Sequence, residues 1–401
     1  MTRNKTKKKY IVIQLGPRMN YAVPAFLAQG KYLVAFYTDI HSNHFFFKLI
    51  EFLIPAKLQF KTLKNLLARK LPIELNKKIV KDQILSSLVF NRIKGERKRT
   101  EILFRRVLKE KFSGATAIYT NFINDDIALI RKAKEMGLEI IHEVIITPTS
   151  GLVMLEEYNL YPNIESSNDT PEKVKKGMDL DLIKWGLSDK IIVASKMVFE
   201  TVVKLGIDPK KIFLVPYGLN QDWFKYKATP KKGRILFVGL VGLRKGVHYL
   251  AEAARIISSR GYDYEIVVVG KEFVDTTLDL YKGPQYLGHI PRNEIIKEYL
   301  SADVFVLPTI ADGFGLVHLE AMACGVPAVT TENCGSVVDH NIDGLIIPIR
   351  DPIAIADAIL KIVENRDLRD KMSRAAKIKA SKYTWSQYKK RLFEVLDSKV
   401  P

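Results

Sequence analysis

The stretch Asp312-Gly313-Phe314-Gly315-Leu316-Val317-His318-Leu319-Glu320-Ala321-Met322-Ala323-Cys324-Gly325-Val326-Pro327 decides the fold. It follows the short apolar run Val304–Pro308, which is continuous rather than alternating and so reads as a strand buried on both faces. Gly313 and Gly315 let the backbone approach a ligand closely. Leu316 to Cys324 forms helix well, and Gly325 followed by Pro327 ends it. Strand, glycine loop and helix N-terminus together present unpaired N–H groups and about +0.5 of a charge to an anion. Asp312 precedes the loop and Glu320 lies about one turn into the helix, so one carboxylate stands on each side of the anion position. A carboxylate accepts two hydrogen bonds well, which suits a vicinal diol on ribose or on a sugar ring, each bond contributing about 1.5–3 kcal/mol. Taken singly, Asp312 reads as a helix cap or turn residue and Glu320 as a solvent-facing helical acid. Their spacing around Gly-x-Gly favours a binding role for both.

Outward from this motif, short apolar runs alternate with longer helical patterns. In the first half these runs are Tyr10–Leu15, Tyr32–Tyr37, Ala117–Thr120, Glu139–Ile145, Lys190–Ala194 and Ile212–Pro216. Ile235–Gly239, Glu265–Gly270, Gln285–Ile290, Val304–Pro308, Ala328–Thr331 and Leu345–Pro348 follow in the second. Such alternation predicts parallel sheets with right-handed crossovers. Between the two sets, Gln221–Gly233 holds Pro230, Gly233 and four lysines and reads as a linker. The expected class is α/β, with two Rossmann-like domains facing across a cleft that is the default ligand site.

Composition agrees. The 401 residues exceed one ordinary core, and 47% apolar with 27% charged residues is a globular composition. The net charge of +19 suggests a polyanionic partner: a membrane surface, a nucleic acid or a phosphorylated small molecule. Two cysteines, Cys324 and Cys334, make no disulfide framework and fit a reducing compartment. The basic start, Met1 to Lys9, leads into an apolar stretch too short for a signal-peptide core. No window reaches the ~18 apolar residues of a spanning helix. A cytoplasmic protein, peripheral on the inner face of a membrane, is the expected localisation.

From His44 to Phe112 there are 18 Lys/Arg against six acids, giving +12 of the total charge. This segment opens with Phe45-Phe46-Phe47-Lys48-Leu49-Ile50-Glu51-Phe52-Leu53-Ile54. One reading is a helical insertion packed on the first domain with a solvated basic face. Another is a surface that docks on anionic lipid through its cations and a shallow aromatic wedge. Nucleic acid is not the expected partner, because no zinc finger, aromatic single-strand platform or recognition-helix signal accompanies the charge.

A second chemical feature, Phe237-Val238-Gly239-Leu240-Val241-Gly242-Leu243-Arg244-Lys245-Gly246, follows the first strand of the second set. Cations after a first βα turn are placed to neutralise a diphosphate. A surface Arg–Lys pair is the alternative for either residue alone.

From about Asp189 onward the chain resembles the retaining glycosyltransferases of family 4, which have the GT-B fold. The resemblance rests on Ser188-Asp189-Lys190-Ile191-Ile192-Val193-Ala194-Ser195, Val215-Pro216-Tyr217-Gly218, the Arg-Lys-Gly stretch, Gly288-His289-Ile290-Pro291, the acidic motif, and Asp343-Gly344-Leu345 with Pro348. It implies an acceptor domain over 1–220 with the basic insertion at about 44–112, a linker over 221–232, and a donor domain over 233–383. A last helix over 384–401 would cross back onto the first domain. It further implies that Glu320 binds the ribose hydroxyls of a nucleotide sugar. Asp312, with the amides of Gly313 to Gly315, would hold the transferred sugar and its phosphate.

Two positions depart from the family pattern. Asp312 replaces the usual Glu and is one methylene shorter. Leu240 occupies the usual Arg position, so that contact is missing or comes from Arg244, while Lys245 matches the family Lys. In the first half, Gly16 resembles the glycine loop closing the first strand, and Ile141-His142-Glu143 resembles the strand-ending histidine that approaches the transferred sugar. His142 also reads as a packed strand-end residue, and His289 and His318 read as structural. The expected catalytic set is Lys245, Arg244, Asp312 and His142; the expected donor-binding set is Glu320, Gly313, Phe314, Gly315, Leu316 and Gly16.

The expected reaction moves a sugar, with retention, from a nucleotide diphosphate sugar to an acceptor hydroxyl. A UDP- or GDP-sugar is the donor, and a carbohydrate or lipid-linked molecule is the acceptor. No cofactor and no metal site are expected, since protein cations would stabilise the leaving diphosphate and Asp125-Asp126 reads as part of a helical stretch. A nucleotide-sugar epimerase or a phosphorylase on the same fold is the alternative, and a non-catalytic basic scaffold for membrane or RNA is a third reading.

Overall fold

A computed structural model of the chain describes residues 8–55, 61–83, 95–122, 126–165, 167–292 and 294–398. Parts of the basic insertion, 56–60 and 84–94, lie outside the described residues, as does Asp125. In chain order the first set of elements is β1 (Tyr10–Ile13), α1 (Ala22–Gln29), β2 (Leu33–Tyr37), α2 (Phe45–Leu53), α3 (Lys61–Leu67), β3 (Val80–Lys81), α4 (Gly95–Lys109), β4 (Ala117–Thr120), α5 (Ile127–Glu135) and β5 (Glu139–Val144). Next come α6 (Ser150–Leu160), α7 (Pro171–Leu187), β6 (Lys190–Val193), α8 (Lys196–Lys204) and β7 (Ile212–Leu214). The remaining elements are β8 (Arg234–Val238), α9 (Val247–Ser259), β9 (Glu265–Val269), β10 (Gln285–Tyr286), α10 (Ile296–Ser301), β11 (Val304–Leu307), α11 (Leu316–Ala323), β12 (Ala328–Thr331), β13 (Gly344–Ile347), α12 (Pro352–Glu364), α13 (Arg366–Ser381) and α14 (Trp385–Asp397).

The strands form two sheets, ordered β3-β2-β1-β4-β5-β6-β7 and β10-β9-β8-β11-β12-β13. Each apolar run read from the sequence contains a strand, and the paired strands run parallel. Both orders begin 3-2-1-4-5, the doubly wound arrangement in which the chain changes direction between its first and fourth strands. The α/β class with two Rossmann-like sheets is therefore the fold of this chain. The two-residue strand β3, paired to Phe36 and Tyr37, was not legible as a run of its own.

Contacts gather the chain into two units. One holds the residues up to 143 together with 179–191, and the other holds 144–178 and most residues from 192 onward. The first unit's core is Ile11, Ile13, Tyr37, Ile118 and Ile140 from the sheet, closed by Leu103 and Val107 of α4. Part of the basic insertion is thus a helix that packs its apolar stripe on the sheet. Asp126 stands just before α5 rather than inside a helix. It is fully buried, and its Oδ1 lies 2.8 Å from Lys184 Nζ. Thr120 donates to its Oδ2 at 2.8 Å, so this acid is consumed by structure.

In the second unit, β8 and β11 diverge at their carboxyl ends, and the two loops that follow them hold the residues singled out above. The loop after β8 ends at Gly246, which caps α9 with φ +68°. An added Cβ there would stand 2.0 Å from the carbonyl oxygen of Pro308, in the loop after β11. Only glycine meets both demands, so the two loops touch backbone to backbone. The C-terminal helix α14 is tied to the 216–219 stretch of the same unit: Trp385 donates to the Leu219 carbonyl at 3.1 Å, and Arg391 donates to the Pro216 carbonyl at 3.0 Å.

Gly246→Ala is expected to destabilise the second unit by about 2 kcal/mol or more, since strain at positive φ adds to a backbone collision. Gly261 has φ +85° with nothing within 4 Å of an added Cβ, so Gly261→Ala should cost about 1 kcal/mol. Urea unfolding of both variants checks the difference, and equal losses would refute the loop-contact argument.

Candidate functional site

A cavity of about 520 Å³ opens at the carboxyl ends of β8, β9 and β11, and its lining includes Leu240, Arg244, Lys245, Arg292, Asp312, Phe314, Gly315, Leu316 and Glu320. It lies wholly within the second unit, where an open parallel sheet places its ligand. Asp312, at the end of the β11 loop, accepts a charge-assisted bond from Lys245 Nζ. Its other oxygen lies 3.7 Å from Arg244 Nη1 and accepts the Gly313 amide at 2.8 Å. Burial pushes the Asp312 carboxyl upward, but the two cations and the amide outweigh it and hold the group below its usual range. Arg244 is itself oriented by donation to the Ala311 carbonyl at 2.9 Å.

Glu320 sits on α11 with its carboxylate almost fully buried. Arg292 donates to Oε1 at 2.9 Å, and the buried Tyr299 hydroxyl donates to Oε2 at 3.0 Å. Burial raises its pKa; Arg292 and Tyr299 offset this only in part, so the net shift is upward. The two acids thus share one cavity but have been pushed in opposite directions.

The loop between them is fixed from several sides. Ser195 Oγ donates to the Gly313 carbonyl at 2.8 Å, and an added Cβ at Gly313 would fall 2.4 Å from the Ile145 carbonyl oxygen. Gly315 N–H donates to the Cys334 carbonyl at 2.9 Å, and Leu316 N–H to the Phe314 carbonyl at 3.1 Å. Gly313 and Gly315 amides are therefore occupied, while Phe314 and Val317 amides have no partner among the described residues. The Phe314 ring packs edge-on against Tyr217 at 5.3 Å. His318 donates through Nδ1 to the Gly315 carbonyl and accepts the Val337 amide at Nε2, 3.1 Å away. Burial lowers its pKa to about 4, so it is a neutral strut for the loop.

Eight of the ten expected site residues, Arg244, Lys245, Asp312, Gly313, Phe314, Gly315, Leu316 and Glu320, come together on this loop and cavity. Leu240 lies at its rim, 45% exposed, and the nearby guanidinium on Asp312 belongs to Arg244. Gly16 and His142 belong to the first unit. Gly16 has φ +65° and donates its amide to Asp39 at 2.8 Å. His142 lies within β5, two residues before its end, next to Thr120 of β4; it is buried, which together with Lys184 lowers its pKa. Its Nδ1 has no partner among the described residues.

Sequence reasoning missed Arg292, Tyr299 and Glu165. Arg292 directly follows the Gly288–Pro291 motif, which was a usable signal. Tyr299 and Glu165 carried none. Glu165 Oε1 accepts the Leu243 amide at 2.5 Å and lines a second cavity of about 130 Å³ with Arg244 and Lys245.

Residues 220–379 match the model of a family described as Glycosyl transferases group 1. Among similar curated proteins, a D-inositol 3-phosphate glycosyltransferase of Corynebacterium urealyticum is 32% identical over 49% of this chain and 50% of its own. The capsular polysaccharide biosynthesis glycosyltransferase CapM of Staphylococcus aureus is 30% identical over 48% of this chain and 54% of its own. The chain spans about half the length of the curated relatives it matches. In fold it is similar to HepE of Anabaena, solved with UDP and glucose, with a TM-score of 0.65 at 14% identity, covering 98% of this chain and 100% of that one. A sucrose-phosphate synthase from Thermosynechococcus elongatus gives 0.63 at 17% identity, covering 97% and 98%. The family match is confined to residues 220–379, and the fold of the whole chain is similar to that of these solved structures.

The opposed shifts make a stability prediction. A carboxyl raised in the folded state contributes most below its unfolded value and loses that contribution as pH rises through its folded value. Glu320→Gln should therefore gain stability relative to the parent protein as pH rises from 4.5, the ordinary glutamate value. Melting temperatures compared at pH 4.5 and about pH 7 check it; a difference that fails to widen would contradict the assignment.

Proposed function

We propose that this protein is a retaining glycosyltransferase that moves a sugar from a nucleotide diphosphate sugar, UDP- or GDP-linked, to an acceptor hydroxyl without a metal. The observation that carries the reading is one cavity at a sheet switch point, with a carboxylate on either side of a glycine loop and two cations against the first of them. As the glycosidic bond breaks, the diphosphate gains negative charge. Lys245 and Arg244, with the α11 N-terminus, stand where that charge develops. Asp312 holds both cations in place and, with the Phe314 amide, faces the transferred sugar. Glu320 accepts the ribose diol, a role suited to an ionised group whose neighbours are already fixed by Arg292 and Tyr299. No side chain of the cavity is assigned as a nucleophile, so we propose attack on the face the leaving phosphate vacates, with that phosphate taking the acceptor proton.

The match of residues 220–379 to the group 1 family supports sugar transfer, and the similar HepE was solved with UDP and glucose. His142 and Gly16 are proposed to serve the same reaction from the first unit. The acceptor is proposed to be a carbohydrate or a lipid-linked molecule, used at the inner face of a membrane; no helix among the described residues is long and apolar enough to cross one.

Glu320→Gln should weaken nucleotide-sugar binding at least about tenfold in calorimetry, the loss of one charge-assisted bond; unchanged affinity would remove the ribose role. Lys245→Ala should lower turnover about 10²-fold, the usual effect of removing one transition-state charge contact, with donor affinity falling less. Activity should survive EDTA, and proton NMR should show product only when acceptor is present, with the donor's anomeric configuration. Conversion of the donor without acceptor would instead establish the epimerase reading.

A further inference from the structure

The first unit carries a cavity of its own, of about 500 Å³, that plays no part in the site above. Its lining includes His44, which caps α2, Lys48 of α2, and Leu71, Pro72, Ile73, Asn76 and Lys77. Helix α2 is anchored by Phe47 alone as a fully buried residue, packed on Ile40 and on Leu63 and Leu67 of α3. Its outer side is apolar where a surface helix should be polar: Phe45 is 71% exposed, Leu49 42% and Phe52 85%. Phe45, Lys48, Leu49 and Phe52 fall at i, i+3, i+4 and i+7, so they share one face of the helix. Ile73, 95% exposed, adds an apolar tip to the lining of the same cavity.

The exposed charges around this face are mostly positive; Asp82, an acid lining the cavity, lies 3.3 Å from His41 Nε2. Glu51 is spent on Lys70, 2.9 Å away, and Glu74 accepts from Gln29 at 2.7 Å. Lys48, Lys64, Lys77 and Lys78 are exposed and have no ion-pair partner among the described residues. Two of these four ammonium groups, Lys48 and Lys77, face the cavity itself. Exposed aromatics beside unpaired lysines are the requirements of an anionic bilayer: rings settle at the acyl boundary while cations remain at the phosphate level. A protein partner of complementary shape would need acidic groups for the lysines, and a second copy of this face would set lysine against lysine.

We propose that α2 and the Ile73 turn dock this protein on an anionic phospholipid surface, with Phe45, Leu49, Phe52 and Ile73 entering the bilayer boundary and Lys48 and Lys77 holding a lipid phosphate at the cavity mouth. The inference gives a place and a lipid class to the membrane contact proposed above. It does not depend on the donor cavity, which uses other residues.

The test is sedimentation of the whole protein with vesicles of phosphatidylglycerol and phosphatidylcholine in equal parts, against vesicles of phosphatidylcholine alone. Binding is expected on the mixed vesicles, falling steeply with added salt, and at least about tenfold weaker on the neutral ones. Phe45→Ser with Phe52→Ser should reduce binding to mixed vesicles about tenfold or more, with unchanged melting temperature because both rings are exposed. Lys48→Glu with Lys77→Glu should abolish the preference for the anionic lipid. UDP should protect the Phe45/Phe52 variant against thermal unfolding as it protects the parent, so that a failed donor assignment and a failed docking surface give different results. Equal binding to both vesicles, full binding by the serine variant, or a concentration-dependent dimer that the serine variant abolishes would each overturn the proposal.

Discussion

The second unit is organised around a partly buried carboxylate that two cations hold ionised. Asp312 ends the loop after β11, and Lys245 and Arg244 end the loop after β8. Their attraction and the backbone contact at Gly246 act at the same place, where two adjacent strands send their chains in opposite directions. Breaking such a pair by removing one partner leaves the other charge buried and uncompensated, which typically costs about 3–5 kcal/mol. The arrangement therefore does two things with the same groups. It closes the end of the sheet, and it keeps two positive charges aimed at a cavity in which an anion can be received.

The supports of that cavity lie outside the loops that line it. Glu157 is fully buried between His248 of α9, 2.8 Å away, and Arg350, 2.7 Å away. Burial would raise its pKa, but these partners lower it on balance. The pair ties α6 to α9, the helix that follows Lys245. Ser195 does the corresponding work on the glycine loop. These groups fix the site from behind, and the amides of Phe314 and Val317 have no partner among the described residues.

Much of this was legible from local patterns. Continuous apolar runs gave the strands, and Asp312, Glu320, Lys245 and the glycines were identifiable because their spacing alone places them at a strand end and a helix start. What could not be read depends on side chains meeting across long sequence separations. Tyr299 and Glu165 look like any helical tyrosine and any loop glutamate; only the folded chain brings one to Glu320 and the other to the Leu243 amide. The expected use of all three amides from Gly313 to Gly315 shows the same limit, since Cys334 and Asp312 take up two of them. In the basic insertion, charge hid an ordinary apolar stripe, Leu103 and Val107, which α4 buries on the first sheet. The aromatic face of α2 stayed exposed, and the docking surface proposed above concerns that helix alone.

The opposed environments of the two acids bear directly on the proposed chemistry. Asp312 gains its ionisation from cations that a diphosphate would also attract, so an arriving donor shares Lys245 rather than displacing an established proton. Glu320 is the reverse case: burial makes its charge costly, because Arg292 and Tyr299 only partly replace lost water. Hydroxyl donors from a ribose would supply the missing hydrogen bonds and draw its pKa back down. On the proposed reading, a bound diol would complete the environment of Glu320 and return part of the stability forgone there. A neutral amide at this position would relieve the burial cost yet could not recover it on binding, which separates an acid retained for recognition from one retained for the fold.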